Sequence, residues 1–170
     1  VRVGGRVTGR ARGCEIGLLN IQTGEKPELG ADSANFSAAR VRGNFLKRSN
    51  YGVIATLRDP GVTGARNTAL GADANMRFYG FLEANMYMAG TATSGVNADD
   101  NLSYRGRIQW WPDEYGFGIE HLKIGKDFNP EMGFVRRSDY RNTIATAKYS
   151  PRLKKSKTIR QLTVQGSLEY

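Results

Sequence analysis

At 170 residues, with 39% hydrophobic side chains and a formal charge of +9 from 25 basic against 16 acidic residues, the chain is long enough to form one domain with a buried core. Its single cysteine, Cys14, excludes an internal disulfide framework and a cysteine-rich metal site, and no apolar run reaches the ~18 residues that a membrane-spanning helix needs. The basic balance points to an acidic partner, with nucleic acid, lipopolysaccharide and an anionic solute all open at this level.

In chain order, alternation of apolar and polar residues predicts about ten strands, at 2–11, 14–22, 35–42, 50–58, 70–78, 82–92, 102–111, 115–124, 140–149 and 159–170. The clearest pair surrounds a turn at Tyr79-Gly80-Phe81. Ala72, Ala74, Met76 and Phe78 precede it on one parity, and Leu82, Ala84, Met86 and Met88 follow it. Asp73, Asn75, Arg77, Glu83, Asn85 and Tyr87 take the other parity. A helix with about 3.6 residues per turn would scatter these apolar residues around its circumference, so the unit is a β-hairpin with one apolar and one polar face. Segment 102–111 sets Tyr104, Gly106, Ile108 and Trp110 against Ser103, Arg105, Arg107 and Gln109. The last segment sets Leu162, Val164, Leu168 and Tyr170 against Gln161, Thr163, Gln165 and Glu169. Parity drifts in 14–22 and 140–149, and no segment reads as a helix.

Connections at 12–13, 43–49, 79–81, 112–114 and 150–158 are mostly short. They alternate with longer ones at 23–34, 59–69, 93–101 and 125–139, rich in Gly, Asp, Asn and Thr. The expected fold is therefore an all-β, antiparallel up-and-down meander, short turns at one end and long loops at the other. Transmembrane barrels show this asymmetry, and their strands cross a bilayer in about 9–11 residues. Soluble barrels share both features. The apolar face is nevertheless rich in Gly and Ala, which fill a dense core poorly but face no filling constraint against lipid. Phe45, Tyr51, Phe78, Tyr79, Phe81, Trp110, Trp111, Tyr115, Phe117 and Tyr149 gather near the short turns, where an interfacial aromatic girdle would stand. Val1 is not an initiator methionine and Tyr170 falls inside an alternating run. The chain is thus expected to be an internal segment of a larger barrel, with the remaining strands as its partners.

Within 118–141, Glu120-His121-Leu122, Asp127-Phe128-Asn129-Pro130-Glu131 and Gly133-Phe134-Val135-Arg136-Arg137 resemble a motif of a family of large bacterial outer-membrane β-barrels of unknown function. Members often carry a preceding periplasmic domain like family-nine carbohydrate-binding modules. Ile16-Gly17-Leu18-Leu19-Asn20, Ala39-Arg40-Val41, Arg48-Ser49-Asn50 and Gly71-Ala72-Asp73-Ala74-Asn75 are similar to that family too. The resemblance implies a barrel in the outer membrane, in contact with bilayer and lipopolysaccharide. It carries over no activity, catalytic residue or cofactor.

Candidate chemistry is sparse. His121, the one histidine, has no ligand spacing or triad context and reads as a structural polar residue. Glu114, Glu120 and Glu131 are the carboxylates from which a glycosidase pair would have to come, which requires two across one sugar. Asp99-Asp100-Asn101 lacks the spacing of a Ca²⁺ loop, and Gly61–Gly64 lacks the ending of a phosphate loop. Lys154-Lys155-Ser156-Lys157 is a basic turn without an aromatic stacking module, so nucleic acid is not the expected partner. The polar-face residues Asp73, Asn75, Arg77, Glu83, Asn85, Arg105, Arg107 and Gln109 are expected to line a lumen that passes or docks a solute, a glycan or an anion. Loop 125–139 supplies Lys126, Asp127, Phe128, Asn129, Glu131, Arg136 and Arg137. It either folds inward to line or plug that lumen or stands as an ordered surface loop. Two alternatives from other classes are a soluble basic β-protein that binds a polyanion and a barrel-associated glycan hydrolase.

Overall fold

The computed structural model describes residues 1–30, 32–61, 64–153, 158 and 160–170; the basic run at Lys154-Lys155-Ser156-Lys157 and the expected strand start at Ile159 lie outside the described residues. Ten strands follow one another: β1 Val3–Ala11, β2 Cys14–Gln22, β3 Asn35–Phe45, β4 Ser49–Asp59, β5 Asn67–Phe78, β6 Leu82–Thr93, β7 Leu102–Trp110, β8 Tyr115–Ile124, β9 Tyr140–Tyr149 and β10 Val164–Glu169. They form one antiparallel meander in which each strand pairs with its sequence neighbours. The order runs from β1 to β10 without closing. The one helical turn among the described residues is 3-10, Pro27–Leu29, begun by a proline and ended by Gly30 in the left-handed conformation.

Strands β2, β8 and β9 have the expected bounds, including the two with drifting parity. Three expectations are corrected. β3 runs on to Phe45 rather than ending at Arg42, because Gly43, Asn44 and Phe45 continue the ladder against Tyr51, Asn50 and Ser49, and the connection expected at 43–49 shrinks to 46–48. β5 begins at Asn67 rather than Leu70, because Asn67, Thr68 and Ala69 continue the ladder against Thr93, Ala92 and Thr91. The last strand begins at Val164, well after 159. Residues ahead of it fold back on Ser150–Leu153 through Leu153 N–H to Arg160 O and Leu162 N–H to Pro151 O. Pro151 has no N–H to give, so no continuous ladder can form there. The β1–β2 turn needs positive φ at both residues, 51° at Arg12 and 80° at Gly13. That is the two-residue turn whose twist matches its strands.

Cross-strand partners share a face, so the register assigns every side chain. One face carries Val7, Ile16, Leu18, Val41, Val53, Leu70, Ala72, Met86, Met88, Ile108, Phe117, Ile119 and Leu168. The other carries Arg40, Arg42, Asp73, Asn75, Arg77, Glu83, Asn85, Arg105, Arg107, Gln109 and Glu120. The usual order of burial is inverted. Leu70 and Met88 are each 60% exposed and Phe117 is 56%, whereas the side chains of Asp73 and Glu120 are each 24% exposed. Only Ala34 and Ala84 are buried hydrophobic residues among those described. The accessible surface is 12486 Å², against ~8300 Å² for a compact monomer of this mass.

Aromatic residues collect at the short-turn end. Phe45 and Tyr51 rings lie 6.2 Å apart, Trp110 and Phe117 5.5 Å, and Tyr115 and Tyr149 5.4 Å and stacked. From Leu70 to Phe78 the apolar positions cover roughly 27 Å of strand at about 3.4 Å per residue.

Candidate functional site

The polar face is a set of cross-strand charge and amide pairs. Arg77 on β5 pairs with Glu83, its rung partner on β6. Asn85 donates to Asn75 at 2.9 Å and Asn75 to Asn50 at 3.2 Å, an amide ladder across β6, β5 and β4. Arg105 grips Glu120 with both ends of its fork, Nε to Oε1 and Nη2 to Oε2, each at 2.8 Å. This bidentate geometry gives the strongest guanidinium–carboxylate pairing. Arg107 adds its charge at 3.8 Å from the same carboxylate and also donates to Gln109. Arg40 reaches Asp73 at 2.7 Å from two strands away. It can do so because Gly52 stands between them: a Cβ there would lie 2.6 Å from Asp73 Oδ2 and 2.9 Å from Arg40 Nη2. All eight polar-face residues expected from sequence therefore fall on one face, and these pairs tie them together.

Loop 125–139 crosses that face at the long-loop end. Its departure is set by Gly125, whose N–H donates to Leu102 O at 2.9 Å. A Cβ at Gly125 would sit 2.1 Å from the Asp100 carbonyl oxygen, closer than any side chain permits. Asp127 then accepts the N–H groups of Asp99 and Asp100 at 3.2 Å each and donates its own N–H to Asp100 O at 3.0 Å. Asn129 N–H donates to Thr91 Oγ1 on β6 at 3.0 Å. Asn67 on β5 donates through Nδ2 to Asn129 O at 2.9 Å, and accepts the Glu131 N–H at 3.2 Å. Glu131 ends the path by pairing with Arg58 on β4 at 2.7 Å. Thr91, Asn67 and Arg58 share the polar face, so a loop leaving β8 lies across β6, β5 and β4 before returning to β9. The loop is therefore packed on the polar face of the sheet, tied to three of its strands.

Asn67, at 1% exposed, is one of the two most buried side chains described. Among the described residues no buried side-chain polar atom lacks a partner. Arg136 and Arg137 do not join the Glu131 seat. They line a depression of about 360 Å³ with Leu122, Ile124 and Tyr140, and the Arg137 guanidinium stands 5.6 Å from the Tyr140 ring centre. Phe128 N–H closes a local turn on Gly125 O at 3.3 Å. The Lys126 backbone and charge both act on Asp100.

Asp100 faces Lys123 at 2.7 Å. The Lys123 hydrogen bond holds its carboxyl below the ordinary range, with Lys126 helping, against a smaller opposing effect of burial. Its carboxylate is thereby committed to a lysine, and among the described residues no cluster of three or more His, Cys, Asp or Glu is placed to hold a metal ion. His121 lies on the apolar parity, its Nδ1 2.8 Å from Thr143 Oγ1 and its ring 5.9 Å from that of Tyr104. Glu120 and Glu131 are each committed to an arginine. Glu114 sits in the β7–β8 turn, at the opposite end of the sheet from Glu131.

Sequence reasoning did not find Arg58, Asn67 or Thr91 as the loop's seat, nor Arg40 as Asp73's partner. Asn67 and Thr91 carried a signal, since each extends the polar parity of its strand toward the long-loop end. Comparison with known proteins gives no match to any family model, curated protein or solved structure.

Proposed function

We propose that this chain is a stretch of the wall of an outer-membrane β-barrel, its apolar face on lipid and its polar face lining a lumen that passes or docks a solute. The observation that carries the reading is the inverted burial: valine, leucine, methionine and phenylalanine side chains stand exposed on one face while carboxylates on the other are three-quarters covered. Water would penalise that face along its whole length, at about 25 cal/mol per Å² of apolar surface. Hydrocarbon removes the penalty. The charges on the polar face are then in the place where a barrel tolerates them and uses them to select solutes.

Further support comes from the aromatic row at the short-turn end, which suits the interface of a bilayer. The apolar height of roughly 27 Å along β5 gives ~20 Å of vertical span at a strand tilt of about 40°. The open edges β1 and β10 require neighbours, which further strands of the same barrel would supply. Loop 125–139 narrows the lumen at the long-loop end.

The test is surface labelling of the full-length protein in intact cells, with Cys14→Ser and a single cysteine at Gly64 or at Lys47. An impermeant thiol reagent should reach Gly64→Cys in intact cells and Lys47→Cys only after the outer membrane is breached. Labelling of neither until lysis, with the protein in the soluble fraction, would overturn the reading.

A further inference from the structure

A second group on the polar face lies away from the loop and is built of arginines. Arg6 and Arg10 of β1 and Arg40 and Arg42 of β3 flank β2. The register sets them in rows: Arg10, Glu15 and Arg42 in one, Thr8, Gly17 and Arg40 in the next, Arg6, Leu19 and Ala38 in the third. The first two rows border a shallow depression of about 470 Å³. Its floor is Gly17, where a Cβ would meet only Thr8 Cγ2, at 4.0 Å. Space therefore remains above the middle strand, with guanidinium groups on either side.

The charges do not balance. Glu15 takes Arg10 at 2.5 Å and Asp73 takes Arg40 at 2.7 Å. Arg42 acts on Glu15 only through space. Among the described residues, Arg6 and Arg42 have no hydrogen bond or ion pair with a carboxylate. Four arginines thus face two carboxylates. Like charges two strands apart are separated by roughly 10 Å and repel one another, a cost that an added anion would remove. A guanidinium fork matches the two oxygens of a carboxylate or a phosphate.

We propose that the depression over Gly17 is a binding subsite for the oxyanion group, carboxylate or phosphate, of a passing solute. Arg42 supplies the free fork, Arg10 and Arg40 share theirs from the flanks, the Thr8 hydroxyl completes the rim, and Arg6 adds charge one row away. The occupant is a solute rather than a lipid headgroup, because Val7, Ile16 and Val41, on the alternate positions of the same strands, point to the opposite face. The assignment rests on the reading of the polar face as a lumen wall.

The experiment is calorimetric titration of the full-length protein in detergent with inorganic pyrophosphate and, separately, with succinate. Binding of at least one probe in the millimolar range is expected; a response to pyrophosphate alone identifies a phosphate site, and one to succinate alone a carboxylate site. Arg42→Gln should weaken it about tenfold or more, as loss of a charge-assisted hydrogen bond does. Gly17→Val, which fills the floor, should weaken it as well, while Arg152→Gln, an arginine paired with Asp113 beyond the strand ends, should leave it unchanged. No binding of either probe at about 10 mM by folded protein, or binding indifferent to Arg42→Gln and Gly17→Val, would overturn the subsite. Failure of the surface labelling together with Arg42-dependent binding would sink the barrel and keep the subsite. Successful labelling with indifferent binding would do the reverse.

Discussion

Asn67→Ala should release loop 125–139 from the sheet without unfolding the strands beneath it. The Asn67 side chain makes three hydrogen bonds, to Thr93 Oγ1 at 2.9 Å, to Asn129 O at 2.9 Å and from Glu131 N–H at 3.2 Å, and two of them hold the loop. Each is worth about 1 kcal/mol net, and because Asn67 is 1% exposed the orphaned Asn129 carbonyl and Glu131 N–H raise the total to ~2–3 kcal/mol. That is a roughly 30- to 160-fold shift in the docking equilibrium. Amide hydrogen exchange reads it directly: the N–H groups of Asn129 and Glu131 should lose protection by that factor, while Ala72 and Met86 in the β5–β6 ladder keep theirs. Arg58→Ala is the comparison. The Arg58 and Glu131 side chains are 32% and 24% exposed, so their pair contributes at most ~1 kcal/mol, roughly fivefold. If Arg58→Ala loosens the loop more than Asn67→Ala, or if Asn67→Ala leaves Asn129 and Glu131 protected, the seat is not the buried amide.

Gly125→Ala should cost ~1–3 kcal/mol, since its Cβ would meet backbone at 2.1 Å rather than a side chain that can swing aside; urea unfolding and faster exchange at Gly125 and Asp127 would show it. Asp100 has a lowered pKa in the folded chain through Lys123. Its contribution is therefore present above the ordinary aspartate range and lost as pH falls through the folded pKa. Asp100→Asn should flatten the acid dependence of loop exchange, and an unchanged acid limb would remove Asp100 from the account. Ala39→Arg, on the apolar face, should impair folding into lipid vesicles by ~2–4 kcal/mol if near the bilayer midplane, while Ala38→Arg, on the polar face next to it, should be tolerated. Equal tolerance at the two positions would invert or abolish the assignment of faces.

The strands were legible because alternation is a local property. In β5 and β6 the apolar set from Ala72 to Met88 fixes the face of every residue once the turn at Tyr79 is placed, and the observed rungs follow. In β9 the parity is mixed, with Ile144 on the polar face and Arg141 on the apolar one, and the strand exists because β8 and β10 pair with it on both sides. The overextended last strand shows the opposite failure. Leu162 and Gln161 alternate well and keep the β9–β10 register, with Gln161 opposite Arg152, but Pro151 on the partner removes one rung's hydrogen bond and interrupts the ladder, which alternation within the segment cannot register. The polar-face residues were legible by the same local rule. Arg40 with Asp73, 33 positions apart, and Arg58 with Glu131, 73 apart, were not.

That contrast also ranks the parts of the chain by independence. Every strand pair joins sequence neighbours, so the sheet assembles from short closures with small entropic cost. Asn67 meets Asn129 from 62 positions away, and its seat on β4, β5 and β6 must exist before the loop can dock there. The loop can therefore leave its seat while the strands beneath it stay paired. Among the described residues, the depression over Gly17 is bordered by strands alone. The loop is seated on β4, β5 and β6 and the arginines stand on β1 and β3, so releasing the loop by Asn67→Ala should leave the affinity of the proposed subsite unchanged.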